Sequence, residues 1–318
     1  MVPHLSANLG MGNGLGGRWA LPVASTSVLR LVLPKGSLEK ATMDLFEAAD
    51  LPVVRSSSVD YKASIDDPRI AEVRILRPQE IPAYVAEGLF DIGITGRDWV
   101  EETASDVVSL GEMKYSKATS LPIRVVVAVA GDSPAQQVED LPHDLRVSTE
   151  YPELTRRFFE SKGIRADIRL SYGASEAKIP DIADCIVDIT ETGRALRAAG
   201  LRIIGEILQS YTEVVANKAA YEDPAKRHAM GQLMTLLNGT LDARGKVLVK
   251  MNVPTDRLEA VLAKVPSLKS PTVNELAGGE GFAVETVVAK NQINRLIPDL
   301  VDAGATGILE LPISKIVH

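Results

Sequence analysis

From residue 29 onward, short β-branched runs alternate with amphipathic stretches, which restricts this chain to a small set of layered α/β folds. LRLVLP is an apolar strand that stops at Pro34-Lys35-Gly36, and the next stretch sets Leu38, Ala41, Leu45, Phe46 and Ala49 on one helical face. EVRIL, EIPAYVAEGL and DIGITG read as strand, helix and strand, and RDWVEETA starts another helix. Such alternation predicts parallel sheet covered by helices. Aromatic residues make up only 4% of the chain, so the cores must be built from Val, Leu, Ile and Ala.

IRVVVAVA opens a second set, followed by the strand LRVST and the helix YPELTRRFFESKG, with Leu154, Phe158 and Phe159 on one face. IRADIRL, DCIVDI, the helix TGRALRAAG and the strand LRIIGEIL complete it. SYTEVVAN then reads as the chain crossing back to the first set, and a helix over about 223–243 carries the stripe Met230, Leu233, Met234 and Leu237. After Gly245 the order becomes βαββαβ, the ferredoxin-like arrangement. The expected architecture is a two-lobed α/β region of the periplasmic-binding-protein-like kind plus a ferredoxin-like domain. Lobe I takes residues 29–123 and 209–244, lobe II 124–208 and the C-terminal domain 245–318. Residues 1–28 are Gly-rich without an apolar segment, and read as a flexible extension rather than a signal peptide. Ligands of such sheets bind beyond the carboxyl ends of strands, so a cleft between the lobes is the expected site.

With 42 acidic and 35 basic side chains the net charge is −7, which gives no general attraction to nucleic acid or to an anionic membrane. Phosphates would have to be held locally. No apolar run approaches the length needed to cross a bilayer. The single Cys185 excludes an intrachain disulfide, and His4, His143, His228 and His318 have no metal-ligand spacing. A reducing, cytoplasmic setting fits this usage.

The segment DCIVDITETGRAL, residues 184–196, carries the chemistry. On a strand, Asp184, Ile186 and Asp188 share one face. The following Thr190, Glu191, Thr192 and Gly193 open a helix that continues through Arg194, Ala195 and Leu196. Such a loop offers backbone N–H groups to a phosphate, hydroxyl donors from the threonines and a charge from Arg194. Two carboxylates beside it suit the vicinal hydroxyls of a ribose. A solvent-facing strand followed by an ordinary Gly turn would show the same letters.

PDIADCIVDITETGRAL resembles the phosphoribosyl-pyrophosphate loop of the ATP phosphoribosyltransferase family. LVLPKGSLEKA, QEIPAYVAEGLFDIGITGRDWVEE, STEYPELTRRFF and SLKSPTVNEL are similar to that family's other stretches, in the same order. The resemblance, to the long form with its own regulatory domain, implies a reaction joining N1 of ATP to C1 of 5-phosphoribosyl 1-pyrophosphate with loss of pyrophosphate. It implies Mg²⁺ held through substrate phosphates rather than by a dedicated protein cluster, with Asp184 and Asp188 at the ribose and Thr190 through Leu196 at the 5-phosphate. Ala195 departs from the family's usual Thr there, removing one hydroxyl donor.

Lys35 and Gly36 are assigned to polyphosphate or pyrophosphate, Lys35 also standing among the catalytic candidates with Asp184, Asp188 and Glu176. A solvated lysine in a turn is the plain reading of Lys35. Thr95 and Gly96 end a strand at the cleft, where the glycines serve a tight turn equally well. Arg124 and Tyr151 complete the expected ATP site, though a salt bridge would explain Arg124. Glu176 reaches adenine or ribose, or merely starts a helix.

The C-terminal domain resembles the family's histidine-binding module, with Leu268, Ser270, Thr272 and Ala305 at the effector site. That implies feedback inhibition by histidine and a homo-oligomer, dimer or hexamer. Two readings compete: a two-lobed solute-binding or regulatory protein without catalysis, which has no reason to carry the Asp-x-x-x-Asp-x-Thr-x-Thr-Gly cradle, and a nucleobase phosphoribosyltransferase, whose usual adjacent acidic pair is missing here.

Overall fold

The computed structural model describes residues 28–57, 59–115, 122–266 and 270–318. The first set of elements is β1 (Leu29–Pro34), α1 (Glu39–Ala48), β2 (Lys62–Ala63), β3 (Ile70–Leu76), α2 (Ile81–Ala86), β4 (Ile92–Gly96), α3 (Arg97–Thr103) and β5 (Val108–Met113). The second is β6 (Ile123–Ala130), β7 (Leu145–Thr149), α4 (Pro152–Ser161), β8 (Ala166–Leu170), β9 (Cys185–Thr190), α5 (Arg194–Ala198) and β10 (Leu201–Ser210). The chain then returns through β11 (Thr212–Ala216), α6 (Lys218–Glu222) and α7 (Pro224–Ala243). The last set is β12 (Lys246–Val253), α8 (Leu258–Leu262), β13 (Thr272–Glu275), β14 (Phe282–Ala289), α9 (Ile293–Asp302) and β15 (Thr306–Pro312).

The first sheet has the order β2-β3-β1-β4-β11-β5 and the second β10-β6-β9-β7-β8. The expectation of parallel sheet holds for part of each, where β1 pairs with β3 and β4, and β7 with β8 and β9. β11 runs antiparallel to β4 and β5, and β6 antiparallel to β9 and β10. The cause is the crossing itself. One residue, Tyr211, separates β10 from β11, too short a link for the helical crossover a parallel neighbour needs. The chain therefore leaves one sheet and enters the other without reversing. β2 and β5, which no sequence pattern marked, extend the edges of the first sheet.

Each of the two large sheets buries both faces. One face of the first packs Leu31, Leu33, Ile75 and Ile94 against α1 and α7, and the other packs Val32 and Val215 against Ile81 and Val85 of α2. In α7 the predicted stripe Met230, Leu233, Met234 and Leu237 is buried. That helix starts where its sequence dictates: the Asp223 carboxylate accepts the amides of Ala225 and Lys226 at 2.8 and 3.1 Å, and Pro224 occupies the first turn. The C-terminal sheet, β13-β14-β12-β15, is wholly antiparallel and has the ferredoxin-like order. Among the described residues no helix is long and apolar enough to cross a membrane.

Candidate active site

The carboxyl ends of strands from both lobes face one another across one cleft, the place where ligands of open α/β sheets bind. Ser37, Gln79 and Gly96 border it from the first lobe, Glu150, Ile189 and Glu191 from the second, and Ser210, Tyr211 and Thr212 from the crossing strand. Trp99 and Tyr151 stack there with ring centroids 4.5 Å apart, Trp99 from α3 and Tyr151 at the entry to α4.

α3 and α4 hold the lobes together beside the cleft. Tyr151 is 2% exposed and its phenol donates to Asp98 Oδ2 at 2.7 Å, while Ser210 Oγ donates to Asp98 Oδ1 at 2.6 Å. Tyrosine cannot cap a helix through its side chain, and α4 opens with Pro152. Its free amides are taken from outside: Glu102 of α3 accepts from Glu153 N at 3.0 Å and Leu154 N at 2.8 Å. Sequence reading missed Asp98 and Glu102 because their partners lie 51–53 residues away.

At the end of β9, Thr190 Oγ1 accepts from Gly193 N at 2.8 Å, closing the loop on itself, and Thr192 Oγ1 accepts from Arg194 N at 3.4 Å. Gly193 has φ +72°, and a Cβ on it would lie 2.8 Å from the Arg197 guanidinium, so this turn needs glycine. The amides that open α5 have no partner within the helix; around them Thr192, Arg194 and Ala195 form an exposed rim, while Leu196 is buried. A compact anion fits such a rim.

Two carboxylates border this loop. Glu150 follows Thr149, which lies opposite Val187 in the β7–β9 pairing, so it neighbours Asp188. Burial first, then the Asp188 charge, pushes the Glu150 carboxyl above the usual range. Burial likewise pushes Asp188 up, with Glu176 adding to it, against the Ile189 amide, Ser175 and Lys178. The Glu176 charge therefore reaches Asp188. Glu150 went unread because its site depends on strand register.

Asp184 does not join them. It precedes β9 at the end opposite the loop, where Arg146 N and Nη2 each donate to it at 2.7 Å and the guanidinium holds its carboxyl below the usual range. Strand alternation places Asp184 and Asp188 on one face at most, and four residues span about 13 Å. Thr95 is fully buried and donates to the Pro78 carbonyl at 2.8 Å, so its hydroxyl is turned away from the cleft. Gly96 does border the cleft, and its lack of a side chain answers to Asp98, whose Oδ1 would lie 2.1 Å from a Cβ. Lys35, at the end of β1, sets its ammonium 4.0 Å from the Tyr61 ring centre, and Gly36 takes the turn with φ +86°. Arg124 stands opposite Thr190 in the β6–β9 pairing and meets Glu206 at 3.3 Å, the salt bridge that competed with a substrate role.

In the C-terminal domain Ser270 and Thr272 are exposed, Thr272 opening β13. Ala305 is 4% exposed and belongs to that domain's apolar core, so its methyl is packing rather than ligand surface. Leu268 lies outside the described residues. Among the described residues no group of three or more His, Cys, Asp or Glu side chains converges to hold a metal. The adjacent Glu150 and Asp188 carboxylates suit a hard cation that takes its remaining ligands from phosphate and water.

Residues 77–239 match the family model described as HisG: ATP phosphoribosyltransferase, and residues 243–315 match HisG, C-terminal domain. The chain is 46% identical over 290 residues to an ATP phosphoribosyltransferase of Pelotomaculum thermopropionicum, covering 91% of this chain and 99% of that one. It is 44% identical over 293 residues to one of Trichlorobacter lovleyi, covering 92% and 100%. Among solved structures, the ATP phosphoribosyl transferase (HisG:HisZ) complex from Thermotoga maritima aligns with a TM-score of 0.57 at 30% identity, over 66% of this chain and 97% of that one.

Proposed function

Given that the chain belongs to the ATP phosphoribosyltransferase family, pentosyltransferases of histidine biosynthesis, we propose how its own residues carry the transfer of phosphoribose to N1 of ATP. The Thr190–Gly193 turn and the first amides of α5 bind the 5-phosphate, with Arg194 adding charge. Asp188 faces the ribose. Backbone amides take over the contact that the family's usual Thr at the Ala195 position would make.

The observation that supports this most is the pairing of that exposed rim with two carboxylates, Asp188 and Glu150, whose ionised forms are disfavoured by burial, with the Asp188 charge adding to it at Glu150 and the Glu176 charge at Asp188. Developing positive charge at the ribose C1 relieves exactly this kind of repulsion, so the site favours an oxocarbenium-like transition state over the ground state. Asp184 has no part in this; it fixes the far end of β9 through Arg146. Mg²⁺, held through the pyrophosphate, would neutralise the leaving group. Lys35, at the carboxyl end of β1, lends its ammonium to the same polyphosphate region.

The C-terminal domain gives the chain its own histidine response, with Ser270 and Thr272 on the exposed surface that meets the effector. The protein works in the cytoplasm as a homo-oligomer. A steady-state assay with ATP, 5-phosphoribosyl 1-pyrophosphate and Mg²⁺, with pyrophosphatase present, tests both halves. N1-phosphoribosyl-ATP forms, and histidine suppresses it. Product without any effect of histidine would leave the C-terminal domain structural, and no product would contradict the transferase reading.

A further inference from the structure

The reaction alkylates N1 of adenine, so whatever recognises the base must leave N1 open. The 6-amino group and N7 lie on the edge that meets this condition, and a carboxamide matches both, its oxygen accepting from the amino group and its nitrogen donating to N7. Among the described residues one carboxamide borders the cleft, that of Gln79.

Gln79 is held on a rigid support. It is the third residue of a turn closed by Glu80 N donating to Arg77 O at 3.0 Å, directly after Pro78. Thr95 Oγ1 pins the Pro78 carbonyl at 2.8 Å from beneath. Yet Gln79 Oε1 is buried without a hydrogen-bond partner, a condition shared among the described residues only by Glu213 Oε2. A buried acceptor left unpaired is unfavourable, and the terminal amide torsion is soft enough to turn it toward the cleft. The neighbouring acceptor Asp98 is buried and already holds Tyr151 and Ser210. Trp99, Tyr151, Leu38, Ile123 and Ile189 give the cleft the apolar walls a base requires.

We propose that Gln79 is the specificity-determining residue for adenine, reading the 6-amino group and N7 while leaving N1 free to attack. This rests on the transferase reading above and names the base contact within that site.

The test compares ATP with purine-riboside triphosphate, which lacks the 6-amino group, and with 7-deaza-ATP, which lacks N7. kcat/KM is measured for wild type, Gln79→Leu and Gln79→Glu. Taking each analogue relative to ATP, and each variant relative to wild type, cancels the intrinsic change in N1 reactivity. Wild type loses about tenfold or more on each analogue, and Gln79→Leu removes most of both penalties. Gln79→Glu keeps the 6-amino penalty but loses the N7 penalty, since it retains an acceptor and lacks a donor. Unchanged penalties in Gln79→Leu would overturn the proposal while leaving the transferase intact. Absence of turnover with ATP in wild type would instead sink the transferase reading; the same comparison then runs on nucleotide affinities read by isothermal titration calorimetry, where equal penalties in wild type and Gln79→Leu again overturn the role of Gln79.

Discussion

The phenol of Tyr151 in one lobe donates to the buried carboxylate of Asp98 in the other at 2.7 Å, and this contact sets the wall of the cleft. Burial, then the Asp98 charge, holds the phenol well above its ordinary range, so it remains a donor at every working pH. The same side chain stacks on Trp99. A residue read from the sequence as a nucleotide contact therefore also fastens the two lobes.

Tyr151→Phe removes a hydrogen bond to a charged, buried acceptor and leaves Asp98 with Ser210 alone. Stability should fall by about 1.5–3 kcal/mol, seen as a lower urea midpoint, and KM for ATP should rise. An unchanged midpoint would show that the interlobe bond contributes nothing in solution.

Asp188 has a pH signature. Its carboxyl titrates above the usual range in the folded chain, chiefly through burial, against about 3.9 when unfolded. The folded state then binds the proton more tightly, so stability is lost as pH rises from the unfolded value through the folded one. Asp188→Asn, which stays neutral, should melt higher than wild type at pH 7, with the gap closing near pH 4. A variant melting lower than wild type at pH 7 would contradict this account.

Gly93 tests the packing of the first lobe. A Cβ there would lie 2.8 Å from Ile81 Cγ2 and from Val32 Cγ1 and 3.0 Å from Val85 Cγ2, all in the buried core. Gly93→Ala should cost about 1–3 kcal/mol by overpacking, read as a drop in Tm. The close approach of these side chains, not a turn, explains this glycine.

How far the sequence could be read follows from what each signal depends on. The α7 stripe and the βαββαβ order rest on local periodicity, and both appear as expected. β5 was invisible because VSLGEM has weak alternation and gains its place only by pairing with β11. The turn after β9 was legible through Thr190 and Gly193, whose contacts are local. Asp184 and Thr95 misled because periodicity gives a face, whereas the end of the strand and the partner, Arg146 or Pro78, come from tertiary structure. Gln79 and Glu150 lie in stretches similar to the family's, but nothing local gave either a role; both border the cleft only through tertiary structure.

The central claim is that Asp188, and not Asp184, works with the loop after β9 on the phosphoribosyl donor. The direct measurement is kcat/KM for 5-phosphoribosyl 1-pyrophosphate in Asp188→Asn and Asp184→Asn, side by side with wild type. Asp188→Asn should fall by about 10²-fold or more, while Asp184→Asn stays close to wild type and loses only a modest, half-exposed ion pair. Equal losses in the two variants, or full activity in Asp188→Asn, would contradict the assignment.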